Sequence, residues 1–439
     1  MTGNIDHPVI VIGAGYTGLS AAFELARHQR NVIVLEADDS VGGLAGSFSV
    51  GGNRLEKFYH HWFTSDRHVH DLVHDLGLED QVIIRPTRSG SYYANTVFRL
   101  SKPLDLLKYT PLSFLGRLRL GFLLVQAKLV RDWRKLENMT ASEWLQKTCG
   151  TEVYRKVWQP LLRGKFGQYA DEVSAVWFWG KLVLRGASRS KSGDEMLAYY
   201  RGGFAALADA LAEDITQHGG EIRLRAPVTR LVVDQGQIVG VETPGGMLRA
   251  SSVIATVPLP IYRDLVRPHV KQDYTDALDR MKFIGNVCLT LELDRSLSDT
   301  YWINVVDPEF PFVGVIEHTN FEPVSSYSGR HIVYLSKYLP TSDALYRMNA
   351  QEFLDYATPY IQRMFPNFDS KWITDFHLYK ADYSQPVVGK HHSALIPSTE
   401  SPIGNLWLST MAQIYPEDRG TNYAIREGRK IGRALAGKL

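Results

Sequence analysis

The stretch PVIVIGAGYTGLSAAFELARHQRNVIVLE, Pro8 to Glu36, decides the fold. Val9 to Ile12 is an unbroken apolar run, the pattern of a strand buried on both faces. It ends in Gly13-Ala14-Gly15-Tyr16-Thr17-Gly18, which fits G-x-G-x-x-G. Leu19, Ala22, Phe23 and Ala26 then recur at helical spacing, and Asn31 to Leu35 returns to strand before Glu36. A lone G-x-G-x-x-G is a weak signal. Here it leaves a strand, opens a helix and is answered by an acid about 20 residues on, the context that makes it a dinucleotide site. Gly13 permits the tight turn, Gly15 lets a diphosphate approach backbone at a helix N-terminus, and Gly18 lets helix and strand pack closely. Glu36 is placed to accept hydrogen bonds from a ribose.

The remainder bounds the class. A chain of 439 residues is too long for one small core and suits two domains with insertions. Composition is 44% hydrophobic and 22% charged, which argues against disorder. A net charge of +2 offers no electrostatic footprint for nucleic acid. Cys149 and Cys288 lie in no C-x-x-C pair, so neither a disulfide framework nor a redox dithiol is expected, and a reducing cytoplasm is the expectation. The first apolar run is the strand of the glycine motif, so no signal peptide is expected. No apolar run reaches the ~20 residues of a spanning helix.

Along the chain, Phe48 to Leu55 reads as a hairpin turning at Gly51-Gly52. Asp66 opens a helix with Val69, Leu72, Val73 and Leu76 on one face and Gly77 as its stop. Gly90 to Arg99 alternates like a strand, and residues 103–189 are helical and carry Leu, Trp and Arg. After Tyr200-Arg201-Gly202-Gly203-Phe204 come a helix (205–218), a strand (221–224), a small meander (228–250) and a buried strand (252–257). Strands are expected at 286–293, 312–317, 331–338 and 406–409, and helices at 350–364 and 421–435. The glycine motif and its relatives thus fall in 1–65, 200–261 and 381–439, a discontinuous nucleotide-binding domain; 66–199 and 262–380 form a substrate domain with a helical lobe.

Glu36-Ala37 followed by Gly42-Gly43 resembles the E-A-x-x-x-x-G-G element of FAD enzymes in the glutathione-reductase-like class. The whole chain resembles the flavin amine oxidase superfamily of monoamine oxidases, protoporphyrinogen oxidases and phytoene-type desaturases. Three further places carry the resemblance. They are Arg201-Gly202-Gly203-Phe204 leading to Ala226-Pro227-Val228, the strand Val253 to Pro258, and Gly404 to Leu408 leading to Gly420-x-x-x-Ala424-Ile425-x-x-Gly428. The resemblance implies an α/β fold with a Rossmann-like FAD domain and an inserted α+β substrate domain. It implies non-covalent FAD, because neither cysteine lies in the C-terminal segment. It also implies hydride transfer between an organic substrate and flavin N5. The residues it assigns to the cofactor are Gly13, Gly15, Tyr16, Thr17, Gly18, Glu36, Ala37, Gly42, Gly43, Leu44, Val228, Met411, Gly420, Thr421, Asn422 and Tyr423. Leu44 stands where many relatives carry Arg, and Thr410-Met411 where they carry Gly-Asp. The absence of a second dinucleotide motif points to oxygen or another diffusible acceptor, with NADPH binding directly at the flavin as the alternative. A redox-neutral, mutase-like reaction on a nucleotide sugar is the alternative, because the loop Lys57 to Phe63 occupies the place of the Gly/His-rich segment of UDP-galactopyranose mutase.

Four residues are candidates for chemistry: His60, His61, Tyr415 and Arg419. Neutral histidine is the natural proton shuttle near pH 7. Adjacent residues of an extended segment point opposite ways, so one histidine at most faces a bound flavin; the competing reading is a histidine held in an aromatic wall. Arg419 either pairs with Asp418 or grips an anionic substrate group, and Tyr415 is expected to form part of one wall of the substrate cavity. His70 and His74 sit at i,i+4, but flanking Asp and Arg favour a solvated helix, and no metal is expected. The apolar, basic segment Pro111 to Lys135 reads first as a lobe helix packed on the core and second as a peripheral membrane contact for an enzyme of lipophilic substrates.

Overall fold

Val9–Ile12 runs through the middle of a five-stranded sheet in the order Glu221–Arg223, Val32–Leu35, Val9–Ile12, Ser252–Ala255, Leu406–Leu408. Every neighbouring pair is parallel, with Val9 opposite both Val32 and Ser252. The three central strands are buried along their whole length, as their apolar runs require. The computed structural model describes residues 7–93, 95–99, 105, 108–187, 195–307 and 309–438.

Helix Tyr16–Arg27 leaves the first strand and packs against the C-terminal helix Thr421–Ala436 and against Gly203–Gln217. The C-terminal helix approaches through glycine. A Cβ on Gly428 would lie 2.2 Å from the Thr17 carbonyl oxygen, and one on Gly432 would lie 2.5 Å from that of Ala21. Buried Glu24 is gripped at this seam by Arg429 at 2.5 Å and Arg433 at 2.9 Å.

Beside this module lies a seven-stranded mixed sheet that includes the long strands Phe283–Leu293 and His331–Leu339 and is covered by helix Ala350–Met364. The helical lobe expected over 103–189 has its own core, with helices Phe114–Leu129, Ala141–Val153, Gln159–Phe166 and Ala175–Ala187. Residues 103–104, 106–107 and 188–189 of that span lie outside the described residues. The hairpin and the meander form where the pattern placed them, as Ser47–Val50 with Asn53–Glu56 and as Arg230–Asp234, Gln237–Thr243 and Gly246–Arg249.

Three strands differ from expectation. Gly90 to Arg99 is a hairpin, Ser89–Tyr93 and Thr96–Arg99, because Asn95 turns the chain at φ 59°. Glu195–Tyr200, just before the Arg201 turn, pairs with Val82–Thr87 and Trp62–Phe63. Ile373–Pro386 is a long edge strand whose mixed polar sequence carries no clean period, since only its last residues are buried.

Candidate functional site

The carboxyl ends of the parallel strands, where ligands bind in open α/β sheets, collect the motif residues. Gly13 turns at φ 103°, and a Cβ on Gly18 would stand 1.9 Å from the Gly13 carbonyl oxygen. Thr256, at the end of the neighbouring strand, donates to the Ile12 carbonyl at 2.9 Å and closes this turn. Gly15 bridges to Gly42, and a Cβ on Gly43 would lie 3.1 Å from Gly15 Cα, so two glycine backbones pass each other without side chains. Glu36 Oε2 accepts from the Ala14 N–H at 2.6 Å, and Oε1 from the Asp38 N–H at 3.0 Å. Ala37 is exposed and Leu44 half-buried beside this turn. Ala226 N–H donates to the Glu36 carbonyl at 2.7 Å, which draws the segment leading to Val228 alongside. Tyr16 points the other way, donating to the Phe204 carbonyl at 2.5 Å, and Thr17 is buried behind it.

The two glycine-led helices run in the same direction, since Thr17 meets Gly428 and Ala21 meets Gly432. Thr421 therefore lies about 10 Å beyond the start of the first helix, at 1.5 Å per residue. Gly15 and Gly420 are the N-caps, and neither helix start has a side-chain cap. A Cβ on Gly420 would meet nothing within 4 Å. Two uncapped, electropositive helix ends that donate, a Cβ-free approach and an accepting carboxylate at the second strand together suit a long dinucleotide. Asn422 is committed elsewhere: its side-chain oxygen accepts from the Val69 N–H at 3.2 Å. Thr410 and Met411, in place of Gly-Asp, begin a short turn capped through Gln413 Oε1, which accepts from the Thr410 N–H at 2.9 Å.

The loop Lys57 to Phe63 separates its two histidines. His60 Nδ1 is 2.6 Å from the Phe58 carbonyl, so that nitrogen carries the proton and Nε2 the lone pair. Its ring lies against Phe204. Burial, reinforced by the Arg419 charge, holds the His60 imidazole down at about 4. His61 turns instead toward Tyr301, whose hydroxyl is 3.0 Å from Nδ1, and toward Trp302 and Phe63.

Asp418 and Arg419 do not simply pair. Asp418 accepts from Trp177 Nε1 at 2.7 Å and Gln385 Nε2 at 2.9 Å, and meets the ammonium of Lys181 at 2.5 Å and that of Lys165 at 3.9 Å. Burial alone would raise this carboxyl; Lys181, Lys165 and Arg419 outweigh it and hold it far below the usual range. Arg419 donates to the Tyr338 hydroxyl at 3.1 Å and keeps Nε buried without a hydrogen-bond partner. Lys165 Nζ lies 4.9 Å from the Trp177 ring centre and 5.0 Å from that of Tyr338. Tyr423 is half-buried nearby, its hydroxyl pushed up to about 12 by burial and by Asp66. Tyr415 faces the helical lobe, donating to Glu137 at 2.7 Å and stacking edge-on with Trp133.

Lys165, Trp177, Lys181, Tyr338 and Gln385 escaped the sequence reading. In sequence they are ordinary lobe and strand residues, and only tertiary folding gathers them around Asp418. Glu56 escaped too: this buried carboxylate accepts from Tyr199 Oη at 2.8 Å and Phe204 N–H at 2.6 Å and fixes the Gly202-Gly203 turn. His70 packs against Trp62 while His74 pairs with Glu79, so the i,i+4 pair does not converge. Among the described residues Glu292, Asp375 and His377 come within metal-ligand reach of one another, but Arg330 already pairs with Glu292 at 2.8 Å.

The sequence profile described as flavin containing amine oxidoreductase matches residues 16–431. The chain belongs to that family. It is accordingly a flavin-dependent oxidoreductase. Coproporphyrinogen III oxidase of Staphylococcus aureus is 22% identical over 327 residues, 67% of this chain and 69% of that one. Mitochondrial protoporphyrinogen oxidase of Nicotiana tabacum is 28% identical over 258 residues, and the match spans 51% of this chain and half (50%) of the tobacco enzyme. Among solved structures, cyclohexylamine oxidase from Brevibacterium oxydans superposes with a TM-score of 0.73 at 18% identity, covering 99% of both chains. Reduced UDP-galactopyranose mutase gives 0.76 at 14% identity, covering 99% of this chain and 96% of that one. These two likenesses establish the fold, an α/β architecture with a Rossmann-like flavin domain.

Proposed function

We propose that the flavin is non-covalent FAD, laid from the Gly13–Gly18 turn to the start of the C-terminal helix, and that the enzyme oxidises a small organic substrate. The offset of about 10 Å between the two uncapped helix starts carries this reading, because it suits a cofactor extended along the seam. The diphosphate takes the N–H groups at Gly15 to Thr17, and the adenosine ribose takes Glu36. Gly42-Gly43 with Leu44, Val228, Met411 and Gly420 to Tyr423 line the rest. Non-covalent binding is supported by the position of both cysteines, which are buried outside the C-terminal segment. The FAD domain spans 1–65, 200–261 and 381–439, the substrate domain 66–199 and 262–380, with strand Ile373–Pro386 crossing the last boundary.

Bound flavin supplies a two-electron acceptor at N5 for a substrate C–H bond. His60, neutral and with a free Nε2 lone pair, takes the substrate proton. Arg419 and Tyr338 orient the substrate, and the Tyr59–Trp302 wall excludes water. His61 supports the loop through Tyr301. Reoxidation falls to oxygen or another diffusible acceptor. In the test, Gly15→Val purifies without flavin absorbance, whereas His60→Ala keeps its flavin and loses turnover. Full flavin in the first variant, or unchanged turnover in the second, would refute the assignment. Redox-neutral turnover of a nucleotide sugar is the second reading, favoured by the cations around Asp418; product without net change in flavin oxidation state would select it.

The lobe helix Phe114–Leu129 supports a peripheral membrane contact and a lipophilic substrate. Gly116, Leu120, Leu123 and Ala127 pack inward as the simpler reading expected, but Phe114 (65% exposed), Leu118 (49%), Phe122 (54%), Val125 (50%) and Leu129 (69%) form a second, uncovered face. Exposed Arg119, Lys128, Arg131, Arg134 and Lys135 accompany it, and no acid occurs between 114 and 131. No helix among the described residues is long and apolar enough to cross a membrane. A helix about 24 Å long with this charge lies on an anionic bilayer. Co-sedimentation with phosphatidylglycerol vesicles, lost in Phe122→Glu, is the expected result; a concentration-dependent dimer lost in that variant would give the face to a second copy instead. A reducing cytoplasm suits the two buried free thiols.

A further inference from the structure

The helical lobe carries charge into the proposed flavin cleft that the cleft itself does not neutralise. Lys165 comes from helix Gln159–Phe166 and Lys181 from helix Ala175–Ala187, and both reach the loop that precedes the C-terminal helix. Asp418 is their shared partner, with only 4% of its side chain exposed. Arg419 adds a third cation, with its Nε buried and unpartnered. Asp66 is a second acid in electrostatic reach of Lys181, and burial raises it to about 6, while neighbouring Glu417 is taken up by Arg426 at 2.8 Å. Even with Asp66 ionised, three cations face two carboxylates, and with Asp66 protonated they face one.

Solvent reaches part of both lysine side chains. Lys165 is deep enough that burial lowers its ammonium to about 8, yet 22% of its side chain is exposed; for Lys181 the exposed share is 36%. The Tyr338 hydroxyl next to them is lowered by Arg419 and Lys165 although burial opposes it, which shows the sign of the local potential. His60 adds no negative charge. Uncompensated positive charge in a low-dielectric cleft is costly and is relieved by an anion. A cationic alkylamine would meet like charge here.

Resting on the flavin site proposed above, we infer that the substrate carries an oxyanion, a carboxylate or a phosphoryl group, held by Lys165, Lys181 and Arg419, and that simple amines are not substrates. Lys165 is a specificity-determining residue in this arrangement. Its aromatic neighbours Trp177 and Tyr338 fix the ammonium by cation–π contact while leaving its remaining donors for the ligand.

The test uses the FAD-loaded protein, with flavin content measured first by absorbance. Succinate, pyrophosphate and benzylamine are then titrated separately while the flavin bands are followed. Saturable perturbation by succinate identifies the carboxylate, perturbation by pyrophosphate the phosphoryl group, and benzylamine gives none. Lys165→Gln keeps its flavin content and weakens the responsive anion at least tenfold, and Lys165→Arg restores much of the affinity. Lys165 is chosen over Lys181 because it is the more distant partner of Asp418 and its loss leaves that carboxylate paired. A response to benzylamine alone, or equal anion affinity in Lys165→Gln, overturns the inference. So does a lowered flavin reduction potential in Lys165→Gln with no anion binding in either protein, which would assign the charge to the reduced flavin. A chain that takes up no FAD overturns the site and this inference together.

Discussion

Gly428→Ala is the sharpest probe of how the fold builds the flavin site. The added methyl would stand 2.2 Å from the Thr17 carbonyl oxygen and 2.8 Å from Ser20 Cβ. Neither neighbour is the end of a flexible chain, so the helices must separate by roughly 1 Å to restore ordinary contact. Overpacking of this kind costs about 1–3 kcal/mol, and a rigid backbone oxygen puts it at the upper end. Replacing helical glycine by alanine returns about 1 kcal/mol. The net is about 2 kcal/mol. At about 2 cal/mol/K per residue, a chain of this length loses about 2 °C in melting temperature. The functional effect should be larger, because the same shift moves the Thr421 helix start relative to the Gly15 turn. Flavin release followed by fluorescence during a thermal ramp checks both. Gly432→Ala, at 2.5 Å from the Ala21 oxygen, should behave alike, and the double variant should cost less than the sum because one displacement relieves both contacts. Gly437→Ala, whose added Cβ would lie an ordinary 3.7 Å from the Arg433 carbonyl oxygen, is the control. A Gly428→Ala protein that melts at or above the native temperature with full flavin would refute the close-packed seam.

Tyr415→Phe should keep flavin and turnover and lose about 1 kcal/mol of stability, the value of a partly exposed hydrogen bond to Glu137; a large loss of turnover with unchanged stability would return Tyr415 to the catalytic set. Arg429→Met removes one of two cations from buried Glu24 and should cost about 3 kcal/mol in denaturant unfolding, with a neutral result disproving the seam's ionic lock. Burial holds His60 at about 4, His318 at about 3 and His392 at about 4. Their unfolded imidazoles bind protons near 6.5 that the folded ones refuse, so this contribution to stability is full above that pH and falls as pH drops toward 4. Buried Asp66, raised to about 6, acts in the opposite direction over the same window, so the histidine share is read by difference. The loss of unfolding midpoint between pH 7 and 4.5 should shrink in His318→Gln, and an unchanged acid limb would count against the buried, neutral His318.

Much of the flavin module was legible in the chain order. A buried parallel strand must be apolar on both faces, and a diphosphate turn must be free of Cβ atoms, so Val9–Ile12, Gly13, Gly15, Gly18 and Glu36 announce themselves locally. The helix register of Gly428 was equally visible, because packing on one face imposes a period. The helical character of residues 103–189 also came from periodicity alone, although the pattern could not say that one apolar face of Phe114–Leu129 stays uncovered. Periodicity reports that a face is apolar and is silent about what, if anything, lies against it.

The substrate side was decided only in three dimensions. Lys165, Lys181, Gln385 and Asp418 come from segments more than two hundred residues apart at the extremes, and a lysine in sequence looks the same whether it is solvated or facing a cleft. Its potential depends on which carboxylates share its surroundings and on how much water reaches it, and both are properties of the assembled fold. The two histidines make the same point at short range: alternation predicted that they part, but only the folded surroundings set His60 against Phe204 within electrostatic reach of Arg419 and His61 against Tyr301. Local backbone chemistry thus set the cofactor module, while the sign and shape of the substrate cleft arose from long-range burial of charge.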